Sequence, residues 1–227
     1  MMTSERSIHI PYQFNNAADK HAIYEQKWKL TSVGLIQSVL PTGQGKILDY
    51  GTGRGELLNL LVQSGYKCVG IDADPVCVDL GSEYAPCYQA NYDNLPFEKD
   101  EFDVVVALHV LEHVPNPSEC VHFLKTYSSR YLLFAIPNLG TINRLQYRKK
   151  IDNVNRGHAA SWDYPHFKNF IENICDLRVV TWGADLVVVP LFSNLLHSLK
   201  LRSAIEEQWL PKLFPYLTNS VIVLCEK

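Results

Sequence analysis

Apolar positions along this chain fall into short continuous runs separated by segments of helical spacing. "KILDY" (46–50), "KCVGID" (67–72), "FDVVVAL" (102–108) and "YLLFAIP" (131–137) read as strands buried on both faces, with a weaker run at Cys87–Ala90. Between them, "ELLNLLVQSG" predicts a helix closing at Gly65, Asp74-Pro75 opens a second helix, and Asn116-Pro117 caps a third that runs to about Tyr127. Ahead of the first strand, Ile23, Leu30, Val33, Ile36 and Leu40 recur at helical spacing until Pro41 stops the pattern. Beyond Pro137 the pattern loosens. A basic stretch, "INRLQYRKK", and a polar loop, "IDNVNRGHAAS", lead to a helix "YPHFKNFIENI" and a strand "RVVTWG". More helix follows between about Ser193 and Leu213, and "NSVIVLCE" supplies a last strand.

Strands alternating with helices predict an α/β fold. The expected sheet is doubly wound, mostly parallel and seven-stranded, with helices on both faces, because each parallel connection needs a crossover. Ligands of such sheets bind beyond the carboxyl ends of the strands, near the point where strand order reverses. Functional residues are therefore expected just after strands.

Size and charge narrow the classes. At 227 residues the chain fits one domain. A net charge of −3 and a pI near 6.2 give no general field for phosphate backbones, so nucleic acid is not an expected partner. The start, "MMTSERSIHIPYQF", has no apolar leader pattern, and "LVVVPLF" is too short to span a bilayer and is interrupted by Pro190. Residence in the cytoplasm without membrane insertion is the expectation. Cys68, Cys77, Cys87, Cys120, Cys175 and Cys225 lie far apart without metal or redox spacing, so buried free thiols are expected.

The chemistry concentrates after the first two strands. Asp49-Tyr50-Gly51-Thr52-Gly53-Arg54-Gly55 follows the first strand and opens a helix, and Asp72 ends the second, where a carboxylate can accept hydrogen bonds from both hydroxyls of a ribose. A dinucleotide site is the obvious rival. Its fingerprint, however, is G-x-G-x-x-G, with the third glycine set for helix packing, whereas this chain has G-x-G-x-G. Asp49 would also repel a pyrophosphate and suit a cationic ligand.

D-x-G-x-G-x-G with an acid closing strand two resembles the class I S-adenosylmethionine-dependent methyltransferases, a Rossmann-like family. "NLPF" (94–97), "FDVVVALHVLEHVPNP" and "IPN" (136–138) extend the resemblance to its small-molecule branch, including quinone-biosynthesis O-methyltransferases, over roughly Leu35–Asn138. The resemblance implies a single domain, with an N-terminal helical segment (1–41), a cofactor-binding core (42–138) and acceptor-pocket or lid insertions (139–217). It implies S-adenosyl-L-methionine as cofactor. Asp49, Gly51, Thr52, Gly53 and Gly55 would hold its amino-acid end and Asp72 its ribose. Ala73 would lie under the adenine, with Asn91 and Tyr92 where the family usually carries an acid for the adenine amino group. Leu108 would offer a backbone carbonyl to the ammonium, with His109 beside it.

His109-Val110-Leu111-Glu112-His113 also spells H-x-x-E-H, an inverted zinc-peptidase spacing. A zinc peptidase needs both histidines on one continuous helix, so the match is read as chance and no metal is expected. His113 and His158 are the candidate general bases, His158 lying in "RGHAASWDYPHF", a segment that in similar quinone-pathway enzymes carries a histidine and a tryptophan near the acceptor; Trp162 and Phe167 share it. Arg144, Arg148, Lys149, Lys150 and Arg156 leave open an anionic small-molecule acceptor. The expected activity is methyl transfer to a small molecule, most simply at oxygen. The alternatives are a catalytically silent cofactor-binding scaffold and a protein or RNA methyltransferase.

Overall fold

The computed structural model describes residues 18–90, 95–142, 155–189 and 192–227. Seven strands form one sheet in the order β3-β2-β1-β4-β5-β7-β6. They are β1 (Lys46–Tyr50), β2 (Lys67–Asp72), β3 (Cys87–Gln89), β4 (Phe102–Leu108), β5 (Ser128–Pro137), β6 (Arg178–Gly183) and β7 (Ser220–Glu226). Strands β1 to β5 pair in parallel, and β7 runs antiparallel between β5 and β6. The seven strands expected from the hydrophobic runs are all present.

Both faces of the sheet are covered, which explains the uninterrupted apolar runs. On one face Ile47, Val104 and Val106 pack with Leu57, Leu58 and Leu61 of α2 (Glu56–Gln63) and with Val33 and Ile36 of α1 (Ala18–Val39). On the other, Leu48, Val105 and Leu132 meet Val121 and Leu124 of α4 (Pro117–Tyr127) and Tyr164 and Phe167 of α5 (Tyr164–Asn169). Adjacent strand residues thus feed opposite cores, as strand alternation requires.

Local chemistry sets the helix starts. The Asp74 side chain accepts from Val76 N at the head of α3 (Pro75–Gly81), and Asn116 does the same for Glu119 N at α4, each with proline in the first turn. The helix expected over "YPHFKNFIENI" instead widens into a π-turn at Phe170–Ile174, which seats the adjacent Phe170 and Ile171 together in the core.

Residues 184–189 and 192–217 lie between β6 and β7, the latter carrying α6 (Ser193–Ser198), α7 (Arg202–Ala204) and α8 (Leu210–Leu213). Glu206 organises this stretch although fully buried: its carboxylate accepts from Val189 N at 2.9 Å, Ser193 Oγ at 2.9 Å and Arg202 Nε at 3.0 Å. All six cysteines are free thiols, five of them buried. No described helix is long and apolar enough to cross a membrane.

Candidate functional site

Strand order reverses between β1 and β4, so their carboxyl ends open the crevice in which such sheets bind ligands. Asp49, the penultimate residue of β1, stands at its floor and is 2% exposed. Burial pushes its pKa up to about 7; the hydrogen bond from Thr52 Oγ1 at 3.1 Å opposes this, the charge of Asp72 adds to it, and the Lys29 ammonium of α1 opposes it. A carboxylate so desolvated is only partly ionised at neutral pH, and a cationic ligand would complete its ionisation.

The bend after β1 is tied to β2. Gly51 N and Thr52 N both donate to Ile71 O, at 2.8 and 2.9 Å. Asp72 completes the tie: Oδ2 accepts from Gly53 N at 2.8 Å and Oδ1 from Asp74 N at 2.9 Å. Asp72 is therefore a clamp on the glycine bend, and the α3 cap belongs to Asp74. Gly53 has φ +54°, and a Cβ built there would meet nothing within 4 Å, so the backbone faces open space that a side chain would fill. Gly55 differs. At φ +79° it leaves no room for a Cβ, which would lie 2.8 Å from Gly81 Cα and from the Tyr84 ring. The third glycine thus serves helix packing in this chain too, one position earlier than in the dinucleotide fingerprint.

A second cluster follows β4. Its link to the bend is Val110, whose Cγ2 sits 2.3 Å from where a Gly51 Cβ would be. His109 adopts φ +56°, which is costly for a side-chain-bearing residue; its N–H donates to Ala135 O at 2.7 Å. The imidazole packs on Trp28 of α1 (ring centroids 4.7 Å apart), with Nδ1 3.3 Å from Glu112 Oε1 and Nε2 3.4 Å from Ser220 Oγ. Asp185, whose carboxyl burial holds above the usual range, accepts from Ser220 N on the same side.

Glu112 is 1% exposed, and its Oε2 is the one buried side-chain polar atom among the described residues without a hydrogen-bond partner. Its carbonyl accepts from Ala159 N at 2.6 Å and Ala160 N at 3.2 Å, which brings the 157–160 loop against it. His113 Nδ1 lies 3.1 Å from Gly157 O, and its ring meets that of His158 edge-on at 4.8 Å. Burial pushes the His158 pKa below its ordinary value, with the Glu112 charge opposing.

The fold therefore gathers Asp49, Gly51, Thr52, Gly53 and Asp72 after β1 and β2, and after β4 it brings His109, His113 and His158 around Glu112. Thr52 is buried and acts on Asp49. Exposed Ala73 lies just past β2, its carbonyl accepting from Gln89 Nε2 at 3.1 Å, and Leu108 closes β4. Asn91, Tyr92, Arg144, Arg148, Lys149 and Lys150 lie outside the described residues; Arg156 is exposed. Phe167 is fully buried in the core with Trp162 packed on it, so only His158 of that trio lies in the cluster. Sequence reasoning missed Trp28 and Lys29, which α1 carries to the crevice, and Asp185 and Ser220 from the distal end of the chain. The resemblance put Glu112 with His109 in the region that lines the methionine end of the cofactor but gave it no role of its own; its adjacency to two histidines was the available signal.

Residues 31–189 match the family described as a methyltransferase domain. A ubiquinone biosynthesis O-methyltransferase of Xylella fastidiosa is 29% identical over 102 residues, 40% of this chain and 42% of that protein. The match thus spans about two fifths of the curated relative. Among solved structures, a methyltransferase of Haloferax volcanii in complex with a methyltransferase activator superposes with a TM-score of 0.64 at 14% identity, covering 91% of this chain and 92% of that one. The magnesium protoporphyrin IX methyltransferase of Synechocystis with bound SAH gives 0.60 at 17% identity, covering 95% and 89%. These structural likenesses establish a common fold.

Proposed function

The chain belongs to the methyltransferase-domain family, and from that premise we propose that it transfers the methyl group of S-adenosyl-L-methionine to an oxygen of a small-molecule acceptor. The observation that carries this reading is a buried Asp49, held by Thr52 Oγ1, set beside an unobstructed Gly53 backbone and the Asp72 clamp. That combination fits a ligand with a positive amino-acid end and a ribose, and does not fit a pyrophosphate.

When bound, the cofactor supplies an electrophilic methyl carbon on a sulfonium. Asp49 binds the ammonium, with the Leu108 carbonyl and His109 beside it. Asp72 accepts from the ribose hydroxyls with the lone pairs its two backbone donors leave free. Ala73, just past β2, would lie on the adenine side. Glu112, His113 and His158 would receive the acceptor and hold its oxygen towards the methyl carbon that the cofactor would supply. The hydroxyl proton would pass to an imidazole of this cluster or to water. Alignment and exclusion of water are the protein's main contributions, worth about 7–11 kcal/mol in well-oriented systems. The described residues 155–189 and 192–217 would supply the acceptor pocket and its cover, and exposed Arg156 favours an anionic acceptor. The small-molecule O-methyltransferase name of the curated relative supports the choice of oxygen.

Asp49 gives the reading a pH signature. Its folded pKa near 7 means that a cationic ligand must expel a proton to ionise it below neutrality. Affinity is expected to rise by up to about tenfold per pH unit below neutrality and to level off above, until the ligand's own amino group deprotonates near about pH 8. Calorimetry in buffers of different ionisation heat should register proton release below pH 7 and none above pH 8. An affinity that does not vary across this interval would contradict the role of Asp49. The activity itself is tested by incubating the protein with S-adenosylmethionine and a panel of phenols, catechols and carboxylates while following S-adenosylhomocysteine release. Turnover with one of them is expected; tight binding with no turnover on any would favour a silent scaffold.

A further inference from the structure

The orphaned carboxylate oxygen of Glu112 requires an explanation. A carboxylate 1% exposed loses its hydration on folding, and an unpartnered oxygen there is costly unless a proton or a cation compensates it. The nearest candidates for a network, His113 and His158, make no hydrogen bond to it. They do offer lone pairs. One nitrogen from each imidazole and one oxygen of Glu112 all lie within 4.8 Å of one another.

The surroundings of the three groups match what metal ligands need. A ligating imidazole commonly donates its second ring N–H to a carbonyl or carboxylate, which fixes the tautomer and turns the other nitrogen to the ion. His113 does this: with Nδ1 donating to Gly157 O at 3.1 Å, Nε2 keeps its lone pair. Glu112 is steadied in turn by His109 Nδ1 on Oε1, with Ser220 Oγ beyond His109, which leaves Oε2 free. The two hydrogen bonds from Ala159 N and Ala160 N to the Glu112 carbonyl hold the His158 loop in place.

We propose that Glu112, His113 and His158 form a binding site for a first-row divalent transition-metal ion, and that the ion's open position takes the acceptor oxygen. The second half rests on the methyl-transfer reading; the first stands without it. Two imidazoles and one carboxylate suit zinc, cobalt, iron or nickel, whereas magnesium prefers carboxylates and retained water. Three protein ligands leave a position for an exchangeable oxygen, as catalytic zinc sites do. Bonds of about 2.0–2.2 Å place tetrahedral donors about 3.4 Å apart, so the imidazoles draw in by about 1 Å as the ion binds. An acceptor hydroxyl on the ion becomes more acidic, and its proton passes to water before the oxygen meets the methyl carbon. The assembled trio differs from the pair that H-x-x-E-H suggests: His109 supports Glu112, and His158 arrives from another loop.

The test uses the full chain, stripped with a chelator and titrated with Co2+. Visible d–d bands saturating at one ion per chain are expected, with displacement by Zn2+ and none by excess Mg2+. Glu112→Gln and His158→Ala should each weaken Co2+ binding by more than about 100-fold, beyond the usual cost of losing an outer-shell partner, while S-adenosylmethionine affinity of His158→Ala stays within about threefold. His158 lies in a loop, so His158→Ala, with an unchanged melting temperature, decides the matter if Glu112→Gln fails to fold. No cobalt spectrum in the parent protein, or an undiminished one in His158→Ala, overturns the site. Near-ultraviolet thiolate-to-cobalt bands would instead assign the ion to cysteine. Metal bound as described without methyl transfer to any acceptor would refute the methyl-transfer reading and leave the metal site standing.

Discussion

Replacing Asp49 by asparagine is expected to make the free protein more stable and nearly unable to bind S-adenosylmethionine. The stability effect follows from linkage. The folded pKa of about 7 lies above the ordinary value of 3.8, so the wild-type fold loses stability as pH rises between these values and stays at that loss above them. Asparagine imitates the protonated acid and can still accept from Thr52 Oγ1, so it removes the loss. The gain should be near zero at pH 4, grow towards pH 7 and then level at no more than about 4 kcal/mol. For a chain of this size each kcal/mol is about 2–4 °C in melting temperature. Affinity moves the other way. Truncating one member of a buried charge pair costs about 2–5 kcal/mol, or about 30- to several-thousand-fold. A melting series across pH together with calorimetry would show both. A variant less stable than wild type at pH 8 would refute the desolvation account of Asp49.

The second large effect is expected for Asp72→Ala. It removes the ribose acceptor and also releases Gly53 N and Asp74 N, which the carboxylate holds at 2.8 and 2.9 Å. A loss of about 2–4 kcal/mol in cofactor binding, about 30- to 1000-fold, is expected, with about 1–3 kcal/mol of stability because the freed amides regain water. Asp72→Asn keeps one carbonyl oxygen and should fall between. Since the Asp72 charge helps to raise the pKa of Asp49, the pH dependence of residual binding should shift to lower pH in Asp72→Ala. Wild-type affinity in Asp72→Ala would mean that the ribose lies elsewhere.

These two aspartates were legible in the sequence because each stands at the end of a continuous apolar run, where strand geometry fixes its position. The seven runs marked the strands for the same reason, and Asp74 and Asn116 announced their helices through local caps. What stayed hidden depends on tertiary contact. "LEHV" carries no sign that Glu112 is buried or that the distant 157–160 loop hydrogen-bonds its carbonyl. The meeting of His113 with His158 depends on the same loop. Helix α1 read as a preface to the core, yet it carries Trp28 against His109 and Lys29 towards Asp49. Buried Glu206 looks in the sequence like one acid of an exposed pair with Glu207; three donors from the surrounding turns show otherwise. In the helix from Tyr164 the spacing gave the buried face but not the π-turn, which arises from seating Phe170 and Ile171 side by side.

The central claim is that the crevice between β1 and β4 is built for an adenosyl sulfonium. Titration calorimetry of the wild-type chain with S-adenosylmethionine and, separately, with NAD addresses it most directly. One site per chain for S-adenosylmethionine, with proton release below pH 7 and no heat from NAD, is the predicted outcome. Saturable binding of NAD, or no binding of S-adenosylmethionine between pH 7 and 8, would contradict it.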